Sequence, residues 1–348
     1  MSSGRACCNG HAPTLTPMRS SQAAVADAIV MDGVTKRYGD ATVLDALSLD
    51  VPAGTILGVI GPSGSGKTTA VRMLTGSLDP TAGDIRVLGE DPRQFRRQTR
   101  ERIGYMPQAF TLYPDLTTRE NVDFMATLYG LFFPRRRRRV RAALELVGLW
   151  EARDRQADRL SGGMQRRLEL ACALVHEPAV LFLDEPTAGL DPLLRQVVWD
   201  ELHRLRDTGK TLLVTTQYVT EAEACDQVAL IASGRRIALG PPEALRRTAV
   251  GGDRMIVETE QPLDWRSLDG LEFVRDTHQI DLSQMRVVVD DAGTAAPALV
   301  EALSHRNVTV VSTREDQPTF DEVFATLVRR DEEARAVEAE SAKPAAAA

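Results

Sequence analysis

Gly61-Pro62-Ser63-Gly64-Ser65-Gly66-Lys67-Thr68 is the stretch that decides the fold. It fits the pattern G-x-x-x-x-G-K-[ST], follows the apolar strand-like run Thr55 to Ile60 and precedes the helical run Thr69 to Leu74. Glycines without Cβ let successive backbone N–H groups turn inward around phosphate oxygens, and the following helix presents the positive end of its dipole. We therefore predict a nucleotide phosphate loop, in which Lys67 contacts the β- and γ-phosphates and the Thr68 hydroxyl binds Mg²⁺. An ordinary Gly-rich turn is disfavoured, because Lys and Thr both occupy the required positions.

Composition limits what kind of protein carries this loop. The chain has 348 residues, 43% of them hydrophobic, which is enough for one large and one small domain. It has no run of about 18 consecutive apolar residues, so any role in transport needs a membrane-spanning partner. The formal charge of −7 argues against a general nucleic-acid binder, and we expect no nucleic-acid partner. Four scattered cysteines are typical of a reducing cytosol.

The two ends of the chain are predicted to be disordered. Residues 1–27 are rich in Ser, Ala and Pro, without strong periodicity and without the apolar core of a secretory signal. Cys7, Cys8 and His11 could form part of a soft metal site, but the polar surroundings favour a disordered leader. The tail 332–348 is rich in Ala and Glu and is expected to fray.

Between these ends, residues 28–251 alternate short apolar runs with helical patterns. This alternation predicts a largely parallel α/β sheet. Residues 109–175 lack strand runs and are predicted to be a helical subdomain inserted between two strands. The predicted strands of the sheet, besides Thr55 to Ile60, are Ile103 to Met106, Ala179 to Leu183, Leu212 to Thr215 and Gln227 to Ile231.

A smaller accessory domain is predicted over residues 252–331. Pro241 and Pro242 precede a short helix that ends near Gly251, after which the pattern changes. Three strand-like runs and two helix-like runs then indicate a small α+β domain. The runs are Met255 to Glu258, Arg286 to Val289, Val308 to Ser312, Ala295 to His305 and Phe320 to Arg330.

The apolar run that starts at Ala179 ends in two carboxylates, Asp184 and Glu185. Burying both charges in a core would be too costly, so we expect them to emerge at the carboxyl end of the strand. There Asp184 could hold Mg²⁺, and Glu185 could act as general base for the attacking water. The alternative is that two acids merely solvate a strand end; the phosphate loop upstream favours catalysis.

A second candidate anion site is Leu160-Ser161-Gly162-Gly163-Met164-Gln165, which opens the helical run Arg166 to Val175. A helix N-terminus with a Ser cap and two glycines can hold an anion, although a simple capped helix would look the same. The hexapeptide resembles the signature motif of ABC ATPases. The resemblance implies a P-loop NTPase fold of the ABC ATPase type and a head-to-tail homodimer, in which Ser161 and Gly163 contact ATP bound by the opposite subunit.

Further elements resemble the same family in the same order. Tyr38 matches an aromatic residue that stacks on adenine, Gln108 matches a glutamine that senses Mg²⁺, and Asp191 matches a loop that couples the two sites of the dimer. The predicted catalytic residues are Glu185, Gln217 and Lys67, and the predicted Mg²⁺ ligands are Thr68, Gln108 and Asp184. The predicted ATP-binding residues are Tyr38, Gly61, Pro62, Ser63, Gly64, Ser65, Gly66, Lys67, Thr68, Thr69, Gln108, Ser161, Gly162, Gly163 and Asp191.

One position departs from most of the family. Thr215-Thr216-Gln217-Tyr218 carries glutamine where most ABC ATPases have histidine. Gln217 can donate a hydrogen bond to a γ-phosphate but cannot carry a positive charge or relay a proton. The tetrapeptide, and the later run Pro318 to Phe324, are similar to ATPases of the daunorubicin-resistance type. This resemblance implies export of a hydrophobic drug or lipid-like molecule.

The resemblance also implies a separate permease, which would hold the chain at the cytoplasmic face of the membrane. Phe110, Leu112 and Tyr113 form an unusually apolar loop that could receive a short helix of that permease, or could simply pack locally. The run Arg135 to Arg139 could bind lipid headgroups or nucleic acid, but a solvated helical face is favoured. The competing function is a non-transport ABC ATPase that remodels ribosome or DNA complexes. It is disfavoured by a single phosphate loop, no heptad run and no paired Cys ligands.

Overall fold

The apolar run before the phosphate loop is the central strand of the main sheet. All five residues of Ile56–Ile60 are buried, because both faces of the strand are covered. In the computed structural model, which describes residues 27–262, 264, 268 and 270–341, this strand pairs in parallel with Thr211–Thr216 on one side and Gln227–Ala232 on the other. A parallel strand that is buried on both faces appears in the sequence as a continuous apolar run, which explains why this strand could be predicted from the sequence.

Strands and helices alternate along the first part of the chain. They are β1 (Asp27–Tyr38), β2 (Ala41–Pro52), β3 (Ile56–Ile60), α1 (Lys67–Leu74), β4 (Ala82–Val87), α2 (Arg97–Arg100), β5 (Ile103–Met106), α3 (Thr118–Leu128), α4 (Phe133–Leu146), α5 (Gly162–Leu174), β6 (Val180–Asp184), α6 (Pro192–Asp207), β7 (Thr211–Thr216), β8 (Gln227–Ala232), β9 (Arg235–Gly240) and α7 (Pro242–Val250).

The main sheet has the order β5-β6-β7-β3-β8-β9 and is parallel except for β9. The carboxyl ends of parallel strands meet at one edge of a sheet. The residues that follow β3, β5, β6 and β7 are therefore brought to one edge, although they are far apart in sequence. This edge receives the phosphate loop, Gln108, the acidic pair and Gln217.

Both faces of the main sheet are covered. One face packs against α1 and a second, antiparallel sheet of order β2-β1-β4, through buried residues such as Met31, Leu47 and Phe182. The other face packs against α5 and α6, and α3 and α4 pack on α5, through residues such as Leu144, Leu168 and Leu202. The predicted α/β fold class is confirmed.

The helices of the 109–175 segment lie between β5 and β6 in sequence. α3 begins with a capping box, in which the Thr117 side chain accepts from the backbone of Glu120 and the Glu120 side chain accepts from the backbone of Thr117. α5 is capped by Ser161, and α4 starts with Pro134 in its first turn. Local sequence signals thus fix where these helices begin.

The last part of the chain is a four-stranded antiparallel sheet with one helix packed on it and a second helix that follows. The sheet order is β11-β12-β10-β13. The sequence analysis missed β11, whose residues VRDTHQ show neither an apolar run nor clean alternation. The elements are β10 (Asp253–Thr259), β11 (Val274–Gln279), β12 (Gln284–Val289), α8 (Ala292–Ser304), β13 (Val310–Glu315) and α9 (Phe320–Ser341).

α9 differs from the prediction. It continues to Ser341, so the expectation of a disordered segment was wrong for 332–341, because Ala and Glu are strong helix formers. Its first turns return to the core of the first part, where Phe320, Val323 and Leu327 are buried. In the described part of the chain no helix is both long and apolar enough to cross a membrane. Residues 342–348 lie outside the described residues, as does the predicted leader apart from Asp27, including Cys7, Cys8 and His11.

Candidate nucleotide-binding and catalytic site

A cleft of about 300 Å³ lies at the carboxyl edge of the main sheet. It brings together three parts of the chain that the sequence analysis had selected separately: the phosphate loop, Gln108 and Glu185. It also includes Val43 at the start of β2, which sequence reasoning did not select. The cleft is lined by Val43, Ser63, Gly64, Gly66, Lys67, Thr68, Thr69, Gln108 and Glu185.

Two glycines are required by the shape of the loop. A Cβ on Gly61 would lie 2.0 Å from the backbone oxygen of Ile231. Gly66 has φ +100°, and a Cβ there would lie 2.5 Å from Leu44 Cδ2. Any larger residue would push the loop away from β2 and β8, so these glycines hold the loop close to the sheet.

Lys67 is a buried cation at the floor of the cleft. Its Nζ donates hydrogen bonds to the backbone oxygens of Gly61, at 2.7 Å, and Pro62, at 3.0 Å. Burial lowers the pKa of Lys67, and the nearby charges of Glu185 and Asp184 oppose that shift. The ammonium is thus held inside the loop that would wrap the phosphates.

Asp184 is fully buried at the end of β6. Its Oδ1 accepts hydrogen bonds from the hydroxyls of Thr68, at 3.2 Å, and Thr215, at 2.5 Å. Its Oδ2 is buried with no hydrogen-bond partner among the described residues, which is a costly state for a carboxylate oxygen. A free carboxylate oxygen beside a threonine hydroxyl fits a hard cation such as Mg²⁺.

Glu185 adopts a strained backbone conformation, with φ +53°. Such a conformation costs about 1–3 kcal/mol for a residue other than glycine and is found where the surroundings enforce it. Here the Glu185 N–H donates to the backbone oxygen and hydroxyl of Thr215, at 3.0 and 3.1 Å. Its side-chain Oε2 accepts from Gln108 Nε2 at 3.1 Å. The strain turns the chain so that this carboxylate faces the cleft.

Arg166 is a central residue of the site that the sequence analysis did not select. Its Nη2 donates to the backbone oxygens of Asp184, at 2.8 Å, and Glu185, at 2.6 Å. Its Nη1 donates to Glu169 Oε2 at 2.7 Å, and Glu169 Oε1 accepts from the Thr111 N–H at 3.0 Å. Both charged side chains are buried, so α5 is connected by ionic hydrogen bonds to the strand end that carries the catalytic candidates. The available signal in the sequence was an Arg and a Glu three residues apart at the start of a mostly apolar helical run.

Gln217 and Ser65 also lie at the phosphate loop. Gln217 is exposed, and its Oε1 accepts from the Ser63 hydroxyl at 3.1 Å, which places the side chain at the rim of the cleft. The Ser65 hydroxyl is buried, with no hydrogen-bond partner among the residues described. Both were predicted site residues, and both contact or belong to the loop.

Five further predicted residues do not line this cleft, namely Tyr38, Ser161, Gly162, Gly163 and Asp191. Tyr38 is half-exposed, with the Lys36 ammonium 5.1 Å from its ring centroid. Ser161 and Asp191 cap α5 and α6 by accepting from the N–H groups of Met164 and Leu194. A Cβ on Gly163 would lie only 2.9 Å from Leu194 Cδ1, so the starts of α5 and α6 pack closely. The first turns of α5 and α6 form a second surface, separate from the cleft.

Comparison with known proteins agrees with this geometry. A family model described as ABC transporter matches residues 44–188, and one described as ATP-binding protein DrrA1-3-like, C-terminal domain, matches residues 240–328. The chain is 40% identical over 306 residues to daunorubicin resistance ATP-binding protein DrrA3 of Streptomyces coeruleorubidus, which covers 87% of this chain and 96% of that protein. It is 43% identical over 240 residues to Nod factor export ATP-binding protein I of Paraburkholderia xenovorans (strain LB400), over 69% of this chain and 79% of that protein.

Solved structures give the same result. An ATP-binding subunit of an ABC transporter superposes with a TM-score of 0.58 at 26% identity, over 64% of this chain and 92% of that chain. An ATP-binding cassette solved as a dimer, in a post-hydrolysis state with ADP and Pi, superposes with a TM-score of 0.57 at 26% identity. The superposition covers 61% of this chain and 98% of that chain. The match to DrrA3 over nearly the whole of both chains shows the family: this chain belongs to the ATP-binding, ATP-hydrolysing proteins of ABC transporters.

Proposed function

We propose that this chain hydrolyses ATP to drive export of a hydrophobic drug or lipid-like molecule through a separate membrane subunit. The observation that carries the hydrolytic part is the convergence of the phosphate loop, Glu185 and Gln108 on one cleft, with Asp184 hydrogen-bonded to Thr68 of the loop. The observation that carries the export part is the similarity to the daunorubicin resistance protein, which extends through the accessory domain.

The residues of the cleft take distinct roles in this proposal. Backbone N–H groups of the phosphate loop and the Lys67 ammonium bind the phosphates of ATP. Thr68, Asp184 and Gln108 hold Mg²⁺, directly or through water, and Mg²⁺ supplies positive charge to the phosphate oxygens when bound. The Glu185 carboxylate accepts a proton from the attacking water, and Gln108 orients that carboxylate through its side-chain hydrogen bond.

A second copy of the chain would complete each site. Ser161, Gly162 and Gly163 are next to the Asp191 loop but outside their own cleft, so they are available to ATP held by another subunit. Two exposed apolar side chains of α6, the helix that Asp191 caps, provide a surface for association; they are Leu193 and Val197. A head-to-tail homodimer would place each signature segment at the partner's phosphates, and the dimeric cassette among the structural neighbours supports this arrangement.

The membrane subunit is proposed to dock on the loop after β5. Phe110 and Tyr113 are about half-exposed, and the Tyr113 ring meets Phe124 edge-on at 4.9 Å between centroids. Leu112 is different, because it is partly buried against the core, so it is removed from the docking surface. Docking there would hold the chain at the cytoplasmic face of the membrane.

We expect a tagged copy of the full chain, extracted from its native membranes in mild detergent, to co-purify with a membrane protein of several spans. A Phe110→Ser/Tyr113→Ser variant should keep its basal ATPase rate within about twofold, because neither side chain lines the cleft. It should lose the membrane protein and the transport activity. The measurements are mass spectrometry of the purified complex and ATP hydrolysis by the isolated chain.

A matched control for this experiment is Leu128→Ser, which removes another exposed apolar side chain of the same helical segment. It should leave the complex intact. Unimpaired transport by the double variant would contradict the assignment of the loop after β5 as the docking site. Recovery of ribosomal proteins or DNA in place of a membrane protein would instead support a remodelling ATPase.

Gln217→His should make the ATPase rate, relative to wild type, depend on pH. Glutamine does not titrate, whereas an imidazole beside the phosphates gains a positive charge as the pH falls. We expect the ratio of variant to wild-type kcat to rise as pH decreases between about pH 8 and pH 5. Gln98→His, on the exposed helix α2, should leave the ratio constant. A ratio of one at every pH for Gln217→His would place this residue away from the phosphates.

A further inference from the structure

Arg195 connects two segments that the sites above leave unexplained. It lies in the first turn of α6, where its N–H donates to the backbone oxygen of Asp191 at 2.9 Å. Its Nη2 donates to the backbone oxygen of Leu190 at 3.5 Å. On the opposite side its guanidinium lies over the Tyr218 ring, 4.2 Å from the centroid. One side chain therefore contacts the loop before α6 and the residue directly after Gln217.

Glu221 provides a second contact between Arg195 and the segment that follows Gln217. The Glu221 carboxylate is buried, and neither oxygen has a hydrogen-bond partner among the residues described. It forms an ion pair with Arg195, with Nε 3.5 Å from Oε1. A buried carboxylate without hydrogen bonds depends strongly on its counter-ion. The Glu221 N–H also donates to the Tyr218 backbone oxygen at 3.1 Å. Arg195 therefore contacts two residues, Tyr218 and Glu221, that are hydrogen-bonded to each other.

Gln217, in contrast, has few constraints of its own. Its side chain is exposed and is held through the Ser63 hydroxyl. Its backbone lies between the buried Thr216 and Tyr218, whose N–H donates to the Thr216 hydroxyl at 3.0 Å. The backbone of Gln217 is therefore fixed by Thr216 on one side and by Tyr218 on the other, so a shift of Tyr218 would change the direction of the Gln217 side chain.

We propose that Arg195 is a positioning residue that couples the loop 189–191 to Gln217, using the Tyr218 ring and the Glu221 carboxylate as its two contacts. The proposal rests on the proposed function, in which this loop meets the partner subunit and Gln217 meets the γ-phosphate. Displacement of the loop on dimer formation would then move Gln217 in the same chain. Arg195 itself does not line the cleft that would hold the nucleotide.

The test is a double-mutant cycle between this contact and Gln217. Arg195→Met/Glu221→Gln removes both charges together, so that no buried charge is left unpaired. We expect it to lower kcat for ATP hydrolysis about five- to tenfold in the wild-type background and less than twofold when Gln217 is already alanine, because a contact that acts through the Gln217 side chain has little effect once that side chain is removed. Tyr218→Ala keeps the ion pair and should give the same pattern.

A second readout does not depend on catalysis. Amide hydrogen exchange over 217–224 in the nucleotide-free chain should become at least several-fold faster in the Arg195→Met/Glu221→Gln variant. Arg204→Met/Glu201→Gln is the matched control, because this ion pair lies on the same helix as Arg195 and both of its charges are likewise removed together. It should change neither the exchange of this segment nor kcat.

The outcomes separate the coupling proposal from the proposed function. Equal losses of kcat in both backgrounds, or a Gln217→Ala variant with wild-type kcat, would overturn the coupling proposal and leave the ATPase assignment intact. Unchanged hydrogen exchange would overturn it as well. A wild-type chain that neither hydrolyses nor binds Mg-ATP would overturn the proposed function itself.

Discussion

Glu185→Gln is expected to lower kcat for ATP hydrolysis by about 10²- to 10⁴-fold, the range that a positioned general base contributes. The amide has nearly the size of the carboxylate, and its oxygen can still accept the hydrogen bond from Gln108. The backbone contacts that hold the strained residue 185 involve main-chain atoms, so they are unchanged. The variant therefore loses the base while keeping the shape of the cleft, and ATP should still bind.

The same variant should accumulate as an ATP-bound dimer, because ATP that is not hydrolysed stays between the two subunits. Size-exclusion chromatography with light scattering, with and without saturating Mg-ATP, measures this change in mass. Glu145→Gln is a suitable control, since that carboxylate lies on the exposed side of α4 and pairs with Arg141. A Glu185→Gln chain that remains monomeric, even beside its membrane subunit, or that hydrolyses ATP at more than a tenth of the wild-type rate, would contradict the assignment.

Much of the fold could be predicted because its strands are buried on both faces. β3, β6 and β7 appear in the sequence as continuous apolar runs, and the observed strands coincide with the predicted ones to within a residue or two. β11 gave no such signal, because it lies at the edge of its sheet with most side chains partly or fully exposed. The end of α9 was missed because composition was taken as a sign of disorder where it also favours a helix.

The candidate site was predictable where one short segment carries the chemistry. The phosphate loop and the acidic pair are local motifs, so residues such as Lys67 and Glu185 could be selected from spacing alone. Arg166 could not be selected in this way, because its role arises only when α5, the end of β6 and the loop after β5 meet in space. The partial burial of Leu112 likewise depends on packing that an apolar loop in a sequence does not show.

Arg166→Met is expected to destabilise the protein by about 3–5 kcal/mol, the usual cost of removing one partner of a buried ion pair. The change leaves the Glu169 carboxylate buried with one N–H donor, that of Thr111. Burial already raises the pKa of Glu169, and Arg166 opposes that shift, so removing the arginine disfavours the charged form further. The backbone oxygens of Asp184 and Glu185 also lose the guanidinium as a donor, although the Glu185 oxygen keeps the Ala188 N–H at 3.2 Å. Chemical denaturation followed by tryptophan fluorescence measures the loss of stability.

Stability and catalysis can be separated by removing both charges at once. Arg166→Met/Glu169→Gln should recover most of the lost stability, since no uncompensated charge is buried. It should not recover kcat, because the guanidinium no longer holds the strained backbone at Glu185 through its carbonyl oxygen. Arg204→Met/Glu201→Gln, a second pair with the same spacing, should leave kcat within about twofold. Full recovery of kcat by the Arg166→Met/Glu169→Gln variant would mean that the buried pair serves only stability, and that the carboxylate at position 185 is directed by Thr215 and Gln108 alone.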